Sequence, residues 1–158
     1  MKIRSLKKND AEKVKKLLTK YGKPYVPPYN LYVYWMLERY LSKTCKVAEK
    51  DNKVVGFVSG MPDIERQVVF IWQLCVDKEL RKQGIATGLL DALFQEARDM
   101  DYNYIELSIT DSNNISQSFF QKYAEKKGLK LKEIDEKEFG ENKEIIFQIP
   151  VAISRKYI

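Results

Sequence analysis

From Val68 to Val76 every residue except Gln73 is apolar, a run that suits a strand covered on both faces. Beyond it, Ile85, Leu89, Leu93, Ala97 and Met100 recur every three or four positions and define one face of a helix. Arg81-Lys82-Gln83-Gly84-Ile85-Ala86-Thr87 joins the two. Gly84 and Ala86 leave room for a ligand at the backbone, and the first amides of a helix have no partner within it. The helix macrodipole, with Arg81 and Lys82 beside it, favours an anion there, and a pyrophosphate fits best. The string Arg/Gln-x-x-Gly-x-Gly/Ala arises by chance about once in seven chains of this length. Its setting between a buried strand and an amphipathic helix therefore carries the weight.

The remaining elements follow from local pattern. Lys2 to Leu6 reads as a strand, and Asp10 as the cap of a helix with Ala11, Val14, Leu17, Leu18 and Tyr21 on one face. Gly22 to Asn30, with Pro24, Pro27, Pro28, Tyr25 and Tyr29, is a loop: a lid, a pocket wall or a rigid connector. A second helix turns Val33, Met36, Leu37, Tyr40 and Leu41 inward. Cys45 to Glu49 and Val54 to Ser59 form a hairpin, and Met61 to Arg66 is a loop. Tyr104 to Thr110 is a strand, and the helix after it starts near Asn113 and carries Ile115, Phe119 and Tyr123. Leu129 to Ile134 and Glu144 to Ile149 are the last strands, separated by a charged loop, and Val151 to Ile158 is a short tail. The order is that of an α/β fold in one domain, residues 1–158, with a mixed, mostly antiparallel sheet of six or seven strands and four helices.

The segment around Arg81 to Ala86 resembles the acetyl-CoA-binding motif of the GNAT superfamily of N-acetyltransferases. Val55-Gly56-Phe57-Val58-Ser59-Gly60, Phe70-Ile71-Trp72-Gln73-Leu74-Cys75-Val76, Ile105-Glu106-Leu107-Ser108-Ile109-Thr110 and Glu144-Ile145-Ile146-Phe147-Gln148-Ile149 are similar to the diaminobutyrate acetyltransferases of ectoine biosynthesis. The likeness runs from about Tyr32 to Ile149. It implies a sheet splayed after its fourth strand, acetyl-CoA as cofactor, and acetylation of a small diamino acid by direct attack in a ternary complex. Other GNAT acceptors (a polyamine, an amino acid, an antibiotic, a peptide N-terminus) and a non-catalytic acetyl-CoA sensor are the alternatives. A homodimer is the default assembly.

The resemblance also distributes roles. Leu74, Cys75 and Val76 bind the pantetheine through their backbone, and the Leu74 amide polarises the thioester. Arg81, Lys82, Gln83, Gly84, Ile85, Ala86 and Thr87 hold the diphosphate. Asn113, Phe119 and Phe120 line the arm, Phe120 standing where many GNAT enzymes have a tyrosine acid. Glu144 matches a substrate-contacting glutamate of the diaminobutyrate enzymes, and Glu106 is placed by the alternation of its own strand to face the cleft; either could hold an ammonium or relay its proton, and Tyr32, Trp72, Glu141 and Glu144 are the candidates for contacting the amine. Pro27 and Glu141 stand where the diaminobutyrate enzymes have an aspartate and a histidine.

Composition narrows the rest. Hydrophobic content of 44% and charged content of 32% suit a soluble globular protein, and no apolar run approaches a membrane span of ~20 residues. Met1-Lys2-Ile3-Arg4 leads straight into fold-like sequence, so no signal peptide is expected. The charge of +6 is spread over helices rather than gathered in a stripe, which suits a polyanionic cofactor better than nucleic acid. With no histidine, neither a metal site nor an activated Cys75 nucleophile is expected. Cys45 and Cys75 could form one disulfide, but strand cysteines are more often core residues, and a reducing cytoplasm is the expected setting.

Overall fold

The computed structural model describes residues 1–152. The strands are β1 (Lys2–Ser5), β2 (Cys45–Lys50), β3 (Lys53–Asp63), β4 (Val68–Val76), β5 (Tyr104–Thr110), β6 (Lys132–Phe139) and β7 (Asn142–Pro150). The helices are α1 (Ala11–Tyr21), α2 (Leu31–Tyr40), α3 (Ile85–Asp99) and α4 (Asn114–Lys126), with short 3-10 turns at Ser42–Thr44 and Lys78–Leu80. The strand order is β1-β2-β3-β4-β5-β7-β6. The pairs β1–β2, β2–β3, β5–β7 and β6–β7 are antiparallel, and the link from β4 to β5 runs through α3, the crossover that parallel strands require. This is the expected mixed α/β architecture. The chain forms two compact units, Met1–Met61 with Ile71–Glu96, and Pro62–Phe70 with Ala97 onward.

In the first unit, α1 buries Ala11, Val14, Leu17 and Leu18 in a core shared with Tyr34, Leu37, Val47 and Phe57. Asp10 is fully buried but is no side-chain cap. Its carboxylate accepts from Arg4 Nη1 at 2.7 Å, Arg4 Nη2 at 3.0 Å and the Lys7 amide at 2.8 Å. A buried carboxylate needs a charged partner more than a helix needs this cap. Glu38 of α2 serves the helix start instead, accepting from the amides of Ala11 at 2.8 Å and Asn9 at 3.2 Å. The phase of α2 also differs from expectation: Tyr34 and Leu37 are buried, whereas Met36 and Tyr40 are 36% and 68% exposed. The helix is apolar on nearly every side, so periodicity does not fix which face turns inward.

β3 continues through Met61, Pro62 and Asp63, where a loop was expected, and leaves only Ile64–Gln67 as the turn. Gly56 lets α3 approach β3: a Cβ there would lie 2.9 Å from Ile85 Cγ2 and 3.0 Å from Leu89 Cδ1. That contact seats the start of α3 against the sheet.

In the second unit β5 and β7 pair along their length, from Tyr104↔Pro150 to Thr110↔Glu144. β6 begins later than expected and takes in most of the supposed charged loop, which shrinks to the turn Gly140–Glu141, with Gly140 at φ +63. Every residue of β6 is exposed, so it has no apolar alternation to read, and its charges suit a sheet edge. On α4, Phe120, Tyr123 and Ala124 are buried and Ile115 is 86% exposed, so Ile115 is not part of the inward face. Val151 is buried, donates its amide to Asn103 O at 3.0 Å and accepts from Arg98 Nη1 at 2.7 Å. Residues 153–158 of the expected tail lie outside the described residues.

Candidate active site

On the first unit, β4 alternates: Ile71, Gln73 and Cys75 are buried, while Trp72 and Leu74 are half-buried. Asp77 ends the strand, donating its amide to Val55 O at 2.8 Å and accepting from the Glu79 amide at 2.9 Å through its side chain. The chain then turns sharply, with Lys82 at φ +64 and Gly84 at φ +81. Arg81, Lys82, Gln83 and Gly84 are all exposed, and no atom of the described residues lies within 4 Å of where a Gly84 Cβ would sit. The first i→i−4 bond of α3 is Gly88 N–H to Gly84 O, at 2.9 Å. Helix geometry therefore leaves the amides of Ile85, Ala86 and Thr87 open. Open amides, two cations and an uncovered glycine are a donor set that fits a diphosphate.

Trp72 stands against Tyr29 of the proline-rich loop, ring centroids 4.8 Å apart, and donates its indole N–H to Tyr29 OH at 3.3 Å. The loop is pinned rather than free. Gln73 Nε2 donates to Pro27 O at 3.0 Å, Tyr34 OH donates to Gln73 Oε1 at 3.0 Å, and the Tyr29 amide donates to Tyr34 OH at 3.0 Å. Tyr32 has other company. Its ring lies 5.4 Å from that of Trp35, and both line a cavity of about 640 Å3 with Lys8, Glu38 and Arg39.

On the second unit, Glu106 is buried and committed. Arg66 grips it at two points, 3.1 and 2.7 Å, and Gln148 Nε2 donates to it at 3.1 Å. Glu144, opposite Thr110 in the β5–β7 register, is different. Thr110 Oγ1 donates to Oε1 at 3.0 Å, and Oε2 is buried with no hydrogen-bond partner among the described residues. Glu141 is exposed in the β6–β7 turn. Asn113 caps α4, its Oδ1 accepting from the Ser116 amide at 3.2 Å. Phe119 is half-buried and meets Phe120 edge-on at 5.2 Å.

Residues 13–124 match the acetyltransferase (GNAT) family. The chain belongs to the GNAT family. This GNAT chain is 39% identical over 94 residues to the L-2,4-diaminobutyric acid acetyltransferase of Halalkalibacterium halodurans, covering 59% of the chain and 50% of that relative. The enzyme of the same name from Marinococcus halophilus is 40% identical over 99 residues, covering 61% and 56%. The chain thus spans about half the length of these relatives. Among solved structures it superposes on the diaminobutyrate acetyltransferase EctA of Paenibacillus lautus, in complex with L-2,4-diaminobutyric acid and coenzyme A. The TM-score is 0.82 and the identity 25%, over 97% of this chain and 96% of that one. The ribosomal-protein-S18-alanine N-acetyltransferase of Escherichia coli shares the fold at a TM-score of 0.77 and 16% identity, over 99% and 97% of the chains.

Two further features of the GNAT chain bear on its chemistry. Cys45 and Cys75 are separate, buried free thiols rather than a disulfide. Burial pushes Cys75 up to about 11 and Cys45 up to about 12, so neither is a thiolate at neutral pH. Phe120, expected to stand where other GNAT enzymes have a tyrosine, is 6% exposed and packs as an apolar residue.

Arg66, Thr110, Gln73 and Tyr34 escaped the sequence reading. Gln73 alone carried a signal, since a polar residue inside a buried strand must find partners.

Proposed function

We propose that this GNAT chain transfers the acetyl group of acetyl-CoA to a primary amine of a small diamino acid, with L-2,4-diaminobutyrate the first candidate. The observation that carries the acceptor is Glu144: a buried carboxylate oxygen without a partner is costly, and an ammonium group would satisfy it. The named diaminobutyrate relatives support the choice.

The chemistry asks little of side chains. The open turn from Arg81 to Thr87 takes the diphosphate, and a backbone amide near Leu74 polarises the thioester carbonyl, a donor typically worth ~3 kcal/mol in the transition state. An alkylamine with a pKa near 10.4 is only on the order of one part in a thousand neutral between about pH 7 and 7.5. Glu144 holds the ammonium and draws off its proton. The freed nitrogen lone pair attacks the thioester carbon, the C–S bond breaks, and the second proton shed by the new amide nitrogen passes to water or to the departing coenzyme A thiolate. Phe120 supplies none. Glu106, with its oxygens already engaged, positions Arg66 and Gln148 rather than acting as base. The setting is a reducing cytoplasm, where both thiols persist, and the assembly a homodimer.

A second reading, a polyamine acceptor, draws on the exposed acidic residues Glu133, Asp135, Glu136, Glu138 and Glu141 of the β6–β7 hairpin. Coenzyme A release from acetyl-CoA, measured with diaminobutyrate, ornithine, lysine, spermidine and aminoglycosides, separates the two. A clear preference for the diamino acids supports the first reading, a preference for spermidine the second. The same slow release with every amine contradicts both.

A further inference from the structure

Gln73 is the one polar side chain in the apolar run of β4, and it is 3% exposed. Both ends of its amide are used, Oε1 by Tyr34 OH and Nε2 by Pro27 O, and its backbone N–H donates to Ser59 Oγ at 3.0 Å. Tyr34, 1% exposed, passes the connection on by accepting the Tyr29 amide. Two points of the proline-rich loop, Pro27 and Tyr29, thus hang from one buried amide. Tyr29, placed in this way, presents its ring to Trp72 and its hydroxyl to the indole N–H. A methionine would fill similar volume in an apolar strand without the desolvation cost of an amide. What the amide adds is a fixed distance between strand and loop, because a fully bonded buried amide has one orientation.

We propose that Gln73 is a positioning residue for acceptor specificity. Through Tyr34 and Pro27 it fixes the wall made by Tyr29 and Trp72, and the placement of that wall selects the length of the amine. The inference rests on the acetyltransfer reading, with Trp72 facing the acceptor.

The test uses a Trp35→Phe background, which leaves Trp72 as the sole tryptophan. In it, Gln73→Met and Tyr34→Phe are compared with the parent by acrylamide quenching of Trp72 emission and by steady-state kinetics. Quenching should rise about twofold, since loss of a buried hydrogen bond frees the loop. The KM for the best amine should rise about tenfold, and the preference between diaminobutyrate and ornithine, one methylene longer, should shrink about fivefold. The KM for acetyl-CoA and the limiting kcat should stay within about threefold. If Gln73→Met does not fold, Tyr34→Phe, which keeps the ring, gives the same reading. Unchanged quenching overturns the inference, as does raised quenching with amine KM and preference unchanged. A parent that acetylates none of the amines overturns the acetyltransfer reading and the specificity claim together, an outcome distinct from either of these.

Discussion

Arg66 and Glu106 form a two-point ion pair across forty residues of sequence, with Glu106 nearly out of solvent and the Arg66 side chain 57% exposed. The partners are therefore unequal. Removing the arginine leaves a buried carboxylate with only Gln148, whereas Glu106→Gln removes the charge itself. Arg66→Met should lower the melting midpoint more than Glu106→Gln does. With both Glu106 oxygens already engaged by Arg66 and Gln148, Glu106→Gln should keep kcat within about fivefold of wild type, well short of the losses typical of a general base. Thermal melts and amine-saturated kinetics on the two variants check this, and a larger loss of kcat in Glu106→Gln returns the proton to that residue.

The turn before α3 makes a separate prediction. Gly84 has open space where a Cβ would go but a left-handed backbone, so substitution there costs conformation rather than a clash. Gly84→Val forces a β-branched residue to φ +81, a strain on the order of 1–2 kcal/mol. The Kd for coenzyme A, measured by calorimetry, should rise about tenfold or more, since that strain is relieved by moving the amides. Arg81→Ala should weaken the same binding, with a difference from wild type that shrinks as salt rises. Unchanged Kd in both variants would place the diphosphate elsewhere.

Much of this was legible in advance, and the exceptions share a cause. The β4–turn–α3 segment carries its own signals: an apolar run, a glycine turn and a 3.6-residue period. The phase of α2 was not legible, because Leu31 to Leu37 is apolar on every side and Tyr34 turns inward for hydrogen bonds that sequence does not show. β6 escaped because a strand exposed on both faces leaves no period-two pattern. The site carboxylates were visible, but not which was spoken for: Arg66 lies forty positions from Glu106, and only the fold brings them together.

Acid stability should report the network at the start of α1. Burial alone would raise the Asp10 carboxyl, but its bonds to Arg4 and the Lys7 amide outweigh that and hold it below its ordinary 3.8. A depressed pKa contributes stability that is complete above the unfolded value and is lost as pH falls through the folded one. Urea midpoints between about pH 6 and pH 2 should therefore fall steeply below about pH 4 in wild type. Asp10→Asn should start lower and show a shallower slope over that window. Equal slopes would detach Asp10 from the acid transition.

The buried thiols make a prediction about a double-displacement route. With Cys75 raised to about 11, an acetyl-enzyme should not form. Incubation with acetyl-CoA in the absence of amine, followed by denaturing mass spectrometry, should show only unmodified protein. A stoichiometric acetyl adduct on Cys75 would replace direct attack with a covalent intermediate.

The central claim, that Glu144 receives the amine, is tested most directly by comparing wild type with Glu144→Gln at saturating acetyl-CoA over a titration of L-2,4-diaminobutyrate. Wild type should give one N-acetylated product per coenzyme A released. In the variant kcat/KM should fall about a hundredfold, the scale of losing a buried charge-assisted contact and a proton acceptor together, with coenzyme A affinity unchanged. Wild-type and variant titration curves that superimpose would contradict it.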